Sequence, residues 1–108
     1  MRRGYLERQL LLILWIHNRP VPLRDILDIM KLVYPNQYAS YDSLRITLIK
    51  TLNNLAQKGY VATLRPYRRR YYLTNRGTSY IKSTELFKEF LAYVKNKAEV
   101  RDREDQDN

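Results

Sequence analysis

The most informative stretch of the sequence is SYDSLRITLIKTLNNLAQKGYVATLRPYRRRYYLT, residues 40–74. Its first half contains four leucines at helical spacing, Leu44, Leu48, Leu52 and Leu55. Because residues three or four positions apart share one face of a helix, this stripe predicts an amphipathic helix with a buried leucine face. Ser40 or Asp42 can cap its start, and we expect the helix to reach Lys58, with Gly59 as its C-terminal stop.

The second half of the stretch has the composition of a β-hairpin. Residues 60–65 and 70–74 are rich in aromatic and β-branched side chains, which predicts two strands. The turn that joins them is Pro66, Tyr67, Arg68 and Arg69. The stretch therefore predicts a helix followed by a hairpin with a strongly basic tip.

Two further helices are predicted before this stretch. Residues 4–17 are apolar almost all round the helix, so we expect this first helix to lie at the centre of the molecule. Residues 20–22 form a short extended connector, and a second helix runs to about Val33 with Pro22 in its first turn. The expected fold class is therefore mainly α with a small β-hairpin (α+β).

A fourth helix is predicted after the hairpin, from Asn75 to Lys97, with Thr74 as its cap. Its apolar positions form a short heptad seam, Tyr80, Thr84, Phe87, Leu91, Val94 and Ala98. Such a seam can pack on the first helix of the same subunit or pair with its twin in a dimer. The first helix and the seam together would leave much apolar surface on so small a monomer, which favours a homodimer. The expected dimerisation residues are Tyr80, Thr84, Phe87, Phe90, Leu91 and Val94.

Charge is distributed unevenly along the chain, whose formal net charge is +9. Between Asp42 and Glu85 there is no acidic residue, while nine residues are basic. A segment of one sign attracts a polyanion, and inside cells the commonest polyanion is DNA. Residues 99–108 are highly charged with a single valine, which predicts a disordered tail.

The composition argues against catalysis and metal binding. The chain has no cysteine, and His17 is its only histidine, so disulfides, thiolate sites and multi-histidine sites are excluded. No Gly-rich phosphate loop or nucleophile–base pair appears, so we expect no enzyme activity, no cofactor, no catalytic residue and no metal site. The apolar run 10–16 is too short to span a bilayer and no cleavage site follows it. We therefore expect a cytoplasmic, nucleoid-associated protein without a membrane partner.

Residues 44–81 resemble MarR and PadR transcription regulators. Thr47-Leu48, Leu52, Leu55 and Gly59-Tyr60-Val61 are similar to the pattern of their recognition helix. The segment 69–74, RRYYLT, followed by Gly77, is similar to their second wing strand and the next helix cap. The resemblance implies a winged helix-turn-helix domain over residues 1–78 and a C-terminal dimerisation helix over residues 79–98.

Charge and resemblance together predict contacts with double-stranded DNA. The third-helix residues expected at the major groove are Tyr41, Ser43, Arg45, Ile46, Thr47, Lys50 and Asn54. Serine, threonine and asparagine can hydrogen-bond base edges, and Ile46 can meet a thymine methyl group. The hairpin residues expected at phosphates or the minor groove are Tyr67, Arg68, Arg69 and Arg70.

Alternatives remain open at this level. An ordinary solvated helix also has a polar face, and charges on a hairpin also protect an edge strand from aggregation. Non-specific binding of nucleic acid, of a chromosome-coating or RNA-binding kind, and a winged-helix protein-interaction subunit are the alternative functions. The favoured expectation is a sequence-specific transcriptional regulator.

Overall fold

The computed structural model describes residues 4–33, 40–65 and 69–107. Within these ranges the chain forms five helices and one three-stranded antiparallel sheet, which confirms the expected mainly helical α+β class. The helices are α1 (Tyr5–His17), α2 (Leu23–Val33), α3 (Tyr41–Gln57), α4 (Asn75–Lys82) and α5 (Glu85–Asp107). The strands are β1 (Val21–Pro22), β2 (Val61–Leu64) and β3 (Arg70–Leu73).

The sheet has the order β1-β3-β2, so β3 lies in the middle. Strands β2 and β3 form the predicted hairpin, with Val61 opposite Leu73. Strand β1 pairs with the other edge of β3, with Val21 opposite Tyr71. Residues 21–22 of the predicted connector are extended as expected, but they form an edge strand, and the prediction that Pro22 lies in the first turn of the second helix is wrong. An edge strand tolerates proline because one side of its backbone needs no partner, and the burial of Val21 favours the pairing.

The predicted caps position the helices around this sheet. The Ser40 Oγ accepts a hydrogen bond from the backbone N–H of Ser43, which caps α3. Gly59 follows α3 with a φ of +81°, a left-handed conformation that glycine adopts without strain. The Thr74 Oγ1 accepts a hydrogen bond from the Gly77 N–H and caps α4. These three points confirm the boundaries that the sequence pattern predicts.

The single helix expected from Asn75 to Lys97 is divided in two. The Thr84 hydroxyl donates to the carbonyl of Ile81 at 2.7 Å and accepts from the N–H of Phe87 at 3.3 Å. One side chain thus satisfies the end of α4 and the start of α5, which allows the chain to turn between them. Helix α5 then continues to Asp107, through residues expected to be disordered, and no glycine or proline interrupts it.

The core is built around α1, as expected from its apolar circumference. Helix α1 contacts α3, α4, α5 and β3, and Leu10, Leu11 and Leu14 are buried. All four leucines of the α3 stripe are buried in the same core, which confirms the predicted inward face. No helix in the described ranges has the length and apolar character needed to cross a membrane.

Candidate nucleic-acid interface

The outward face of α3 presents the side chains predicted for base contact. Ser43, Arg45, Lys50 and Asn54 are exposed, and Thr47 is half-buried. Ile46 is 52 % exposed, so an aliphatic side chain lies among the polar groups of this face. Because the buried leucines hold the opposite side of the helix, the structure keeps this face towards solvent.

Two hydroxyl groups on this face already form local hydrogen bonds. The Thr47 Oγ1 donates to the Ser43 carbonyl at 2.9 Å. The Ser43 Oγ accepts a hydrogen bond from the Ser40 Oγ at 3.2 Å. A threonine hydroxyl that donates to its own helix still has lone pairs to accept a hydrogen bond. The Thr47 hydroxyl can therefore accept a further hydrogen bond, but its proton is already donated within the helix.

Lys31, in the last turn of α2, adds a cation beside the start of α3. The Lys31 Nζ lies 4.9 Å from the centroid of the Tyr41 ring, within the range of a cation–π contact. Tyr41 is exposed beside it. Lys31 is not among the residues predicted from the sequence, because its contact joins two different helices. The sequence shows only that a basic residue lies near the end of α2.

The hairpin carries further arginines, and its β3 side is tied to the start of α2. Arg65, Arg69 and Arg70 are exposed, whereas Tyr67 and Arg68 lie outside the described residues. The backbone N–H of Leu23 donates to the Arg69 carbonyl at 3.3 Å, which ties the hairpin to the first turn of α2. The next residue, Arg24, is exposed. It is not among the predicted contact residues, because the link between the start of α2 and the hairpin depends on the β1–β3 pairing and on the Leu23–Arg69 hydrogen bond.

The cations of α3 and the hairpin have no carboxylate partners in the described part of the chain. The ion pairs there join Lys58 to Glu7 at 3.1 Å and Lys88 to Glu85 at 3.6 Å. The cations without such a pair in this region are Arg45, Lys50, Arg65, Arg69 and Arg70. An uncompensated positive field of this kind attracts phosphate groups.

The predicted dimerisation seam is divided between the core and the surface. Phe87 is 6 % exposed and meets Trp15 edge to face, with ring centroids 4.8 Å apart. Tyr80 stacks on Tyr60 at 4.6 Å, so these two seam residues pack within the subunit rather than facing a partner as expected. The turn at Thr84 separates Tyr80 from the rest of the seam, and Phe87 lies in the first turn of α5, where this helix still packs on α1.

The second half of the seam remains open. Leu91 is 45 % and Val94 46 % exposed, and Tyr93 beside them is also exposed. Phe90 is half-buried, with its ring 6.3 Å from that of Trp15. The seam residues of α5 that are open to a second subunit are therefore Leu91 and Val94, together with the exposed part of Phe90.

His17 occupies a structural position at the end of α1. Its Nδ1 lies 2.8 Å from the carbonyl oxygen of Ile13, a hydrogen bond within the last turn of the helix. No group of three or more histidine, cysteine, aspartate or glutamate side chains suited to a metal ion occurs among the described residues.

Comparison of the chain with protein-family models, with curated proteins and with solved structures gives no match in any of the three.

Proposed function

We propose that this chain is a sequence-specific double-stranded DNA-binding protein of the winged-helix type that regulates transcription. In this proposal α3 enters the major groove, and the β2–β3 hairpin acts as a wing on phosphates or in the minor groove. The observation that carries the proposal is the group of unpaired cations on α3 and the hairpin, within residues 43–84, which include no acidic residue. The resemblance of residues 44–81 to MarR and PadR regulators points the same way.

The composition of the α3 face favours base contact in addition to phosphate contact. A surface made only for phosphates needs cations, but here exposed Ile46 lies between Arg45 and Lys50 along the face. Ile46 can cover a thymine methyl, and Lys50 can donate to the acceptors of guanine. Each good base contact contributes about 1–3 kcal/mol of discrimination between bases.

Dimerisation would follow from the exposed part of α5. Leu91 and Val94 can pair with their counterparts across a two-fold axis, which would bury them in both subunits. Two α3 helices related in this way would enter successive major grooves about 34 Å apart, so the preferred site would be an inverted repeat.

The second candidate function is non-specific binding of nucleic acid. It is favoured by the local hydrogen bond that the Thr47 hydroxyl donates, which leaves one donor fewer for bases than the sequence pattern suggests. Cations alone would then account for the affinity, with no preference among duplexes.

Selection of bound fragments from random duplex DNA separates the two functions. Wild-type protein is expected to enrich one motif with two-fold symmetry. The variant Lys50→Gln should lose preference at one position of each half-site. Lys95→Gln, the same change at an exposed site on α5, should enrich the wild-type motif. Enrichment of no motif by the wild-type protein would leave non-specific binding as the better description.

A further inference from the structure

A groove lies where the end of α1, the hairpin and α4 meet, on residues that the proposed DNA surface does not use. Its volume is about 540 Å³. Pockets that hold small molecules have volumes of roughly 300–1,000 Å³. We call it the Trp15 groove, because Trp15 lines it and is the only tryptophan of the chain. The groove is large enough for a small organic molecule.

The walls of the Trp15 groove are largely apolar. Leu14 and Trp15 come from α1, Leu64 from the edge strand β2, and Tyr72 from β3. Trp15 and Tyr72 are half-buried, and Leu64 is exposed. When an apolar molecule displaces water from apolar side chains at a concave site, the free energy falls, so binding is favoured.

The charges at the groove all have the same sign. Arg19, just after α1, and Lys82, at the end of α4, line it and are exposed. No acidic side chain lines the groove in the described part of the chain, and neither cation forms an ion pair there. Two cations beside an apolar wall attract an anion more strongly than they would in bulk water, since the wall excludes solvent.

From these observations we infer that the Trp15 groove binds an organic anion with an apolar body. The body packs on Leu14, Trp15, Leu64 and Tyr72, and Arg19 and Lys82 hold the carboxylate or similar acidic end. Charge-assisted hydrogen bonds from two cations orient the acid, while the apolar walls provide most of the contact area. This site does not depend on DNA binding.

Trp15 fluorescence tests the inference directly, because the only tryptophan lies in the groove wall. Decanoate, decanol and decylamine share one chain length and differ in the charge of the end group. Each would be titrated below its micelle concentration. Decanoate is expected to change the emission in a saturable way with one site per chain, and to bind about tenfold or more tighter than decylamine. Equal binding of decanoate and decylamine, or no saturation, overturns the inference.

Two variants with the same change of charge localise the site. Arg19→Gln with Lys82→Gln should weaken decanoate binding by about tenfold or more, because neither cation is left to hold the acidic end. Arg45→Gln with Lys50→Gln removes one arginine and one lysine from α3 and should leave decanoate binding unchanged while weakening DNA binding. An equal decrease of decanoate binding in both pairs would mean that the total charge binds the anion, and would overturn the inference.

A second copy of the chain is the rival occupant of the groove. Sedimentation of the wild-type protein with and without decanoate distinguishes it. An unchanged mass supports a small-molecule site. A mass that falls to that of one chain as decanoate binds would mean that another subunit fills the groove, and would overturn the inference.

Discussion

Neighbouring residues of α3 have opposite roles because the helix turns their side chains by about 100° per position. Leu48 is fully buried in the core, and Ile46, two positions earlier, is half exposed. Both are large aliphatic residues of similar volume. Their positions, rather than their chemistry, assign one to stability and the other to the proposed contact with DNA.

Truncation of these two residues should separate folding from DNA recognition. Leu48→Ala leaves a cavity in the core and should lower the free energy of unfolding by about 2–5 kcal/mol in urea denaturation. Ile46→Ala lies on the surface and should change stability by less than about 0.5 kcal/mol. It should nevertheless weaken the preference for thymine at one position of each half-site. The same selected motif for Ile46→Ala and wild type would contradict a role for this side chain in base contact.

Tyr71 is an unusual residue of the core. Its side chain is 1 % exposed, and its hydroxyl has no hydrogen-bond partner among the described residues. A buried polar group without a partner costs folding free energy, because it gives up its hydrogen bonds to water.

Tyr71→Phe is therefore expected to leave stability unchanged or to raise the free energy of unfolding by up to about 1 kcal/mol. The ring still fills the core, so packing is preserved. Chemical denaturation of the two proteins under the same conditions measures the difference. A decrease of more than about 1 kcal/mol would show that the hydroxyl has a partner that stabilises the native state.

At the level of the elements, the hairpin is tied to the body of the protein at two places. Strand β3 pairs with β1, and the Arg69 carbonyl accepts from the N–H of Leu23 at the start of α2. This attachment fixes Arg69 of the hairpin against the first turn of α2, which carries the exposed Arg24. A cationic surface supported by paired backbone gives up less conformational entropy on binding than a free loop would.

Replacement of Arg69 and Arg70 by alanine should weaken binding to all duplexes to a similar degree. The slope of log K against log salt concentration should fall by about one unit for each phosphate that the variant no longer touches. Replacement of Lys88 and Lys95 by alanine changes the net charge equally on α5 and should leave the slope as in the wild type. Fluorescence anisotropy across a salt series measures both. An unchanged slope for the Arg69 and Arg70 variant would mean that the hairpin does not touch the DNA backbone.

For the whole molecule, the feature that bears most on the proposed dimer is the exposed apolar surface of α5. The first part of α5 anchors on α1 through Phe87 and Trp15, and the exposed Leu91 and Val94 follow within the next two turns. A monomer of this size buries only a modest core, so an apolar strip on a long helix favours association.

Sedimentation equilibrium at micromolar concentration should give twice the chain mass for the wild-type protein. Leu91→Asp with Val94→Asp should halve that mass, because two carboxylates cannot be buried in an apolar interface without partners. Ala92→Asp with Asn96→Asp adds the same charge on roughly the opposite side of α5 and should leave the dimer intact. A wild-type monomer at these concentrations would rule out the proposed dimer.

The sequence by itself determined the features that depend on neighbouring residues. Leucine spacing predicted the buried face of α3, and Ser40, Gly59 and Thr74 marked helix ends, since capping and turn geometry are local properties. The uneven charge was also visible, as were most of the candidate contact residues on α3. The tertiary structure alone decided the pairing of β1 with β3 and the inward packing of Tyr80 and Phe87. It also decided the Trp15 groove and the contact between the start of α2 and the hairpin. These features join residues far apart in the chain, and their stability comes from packing and long-range hydrogen bonds rather than from local spacing.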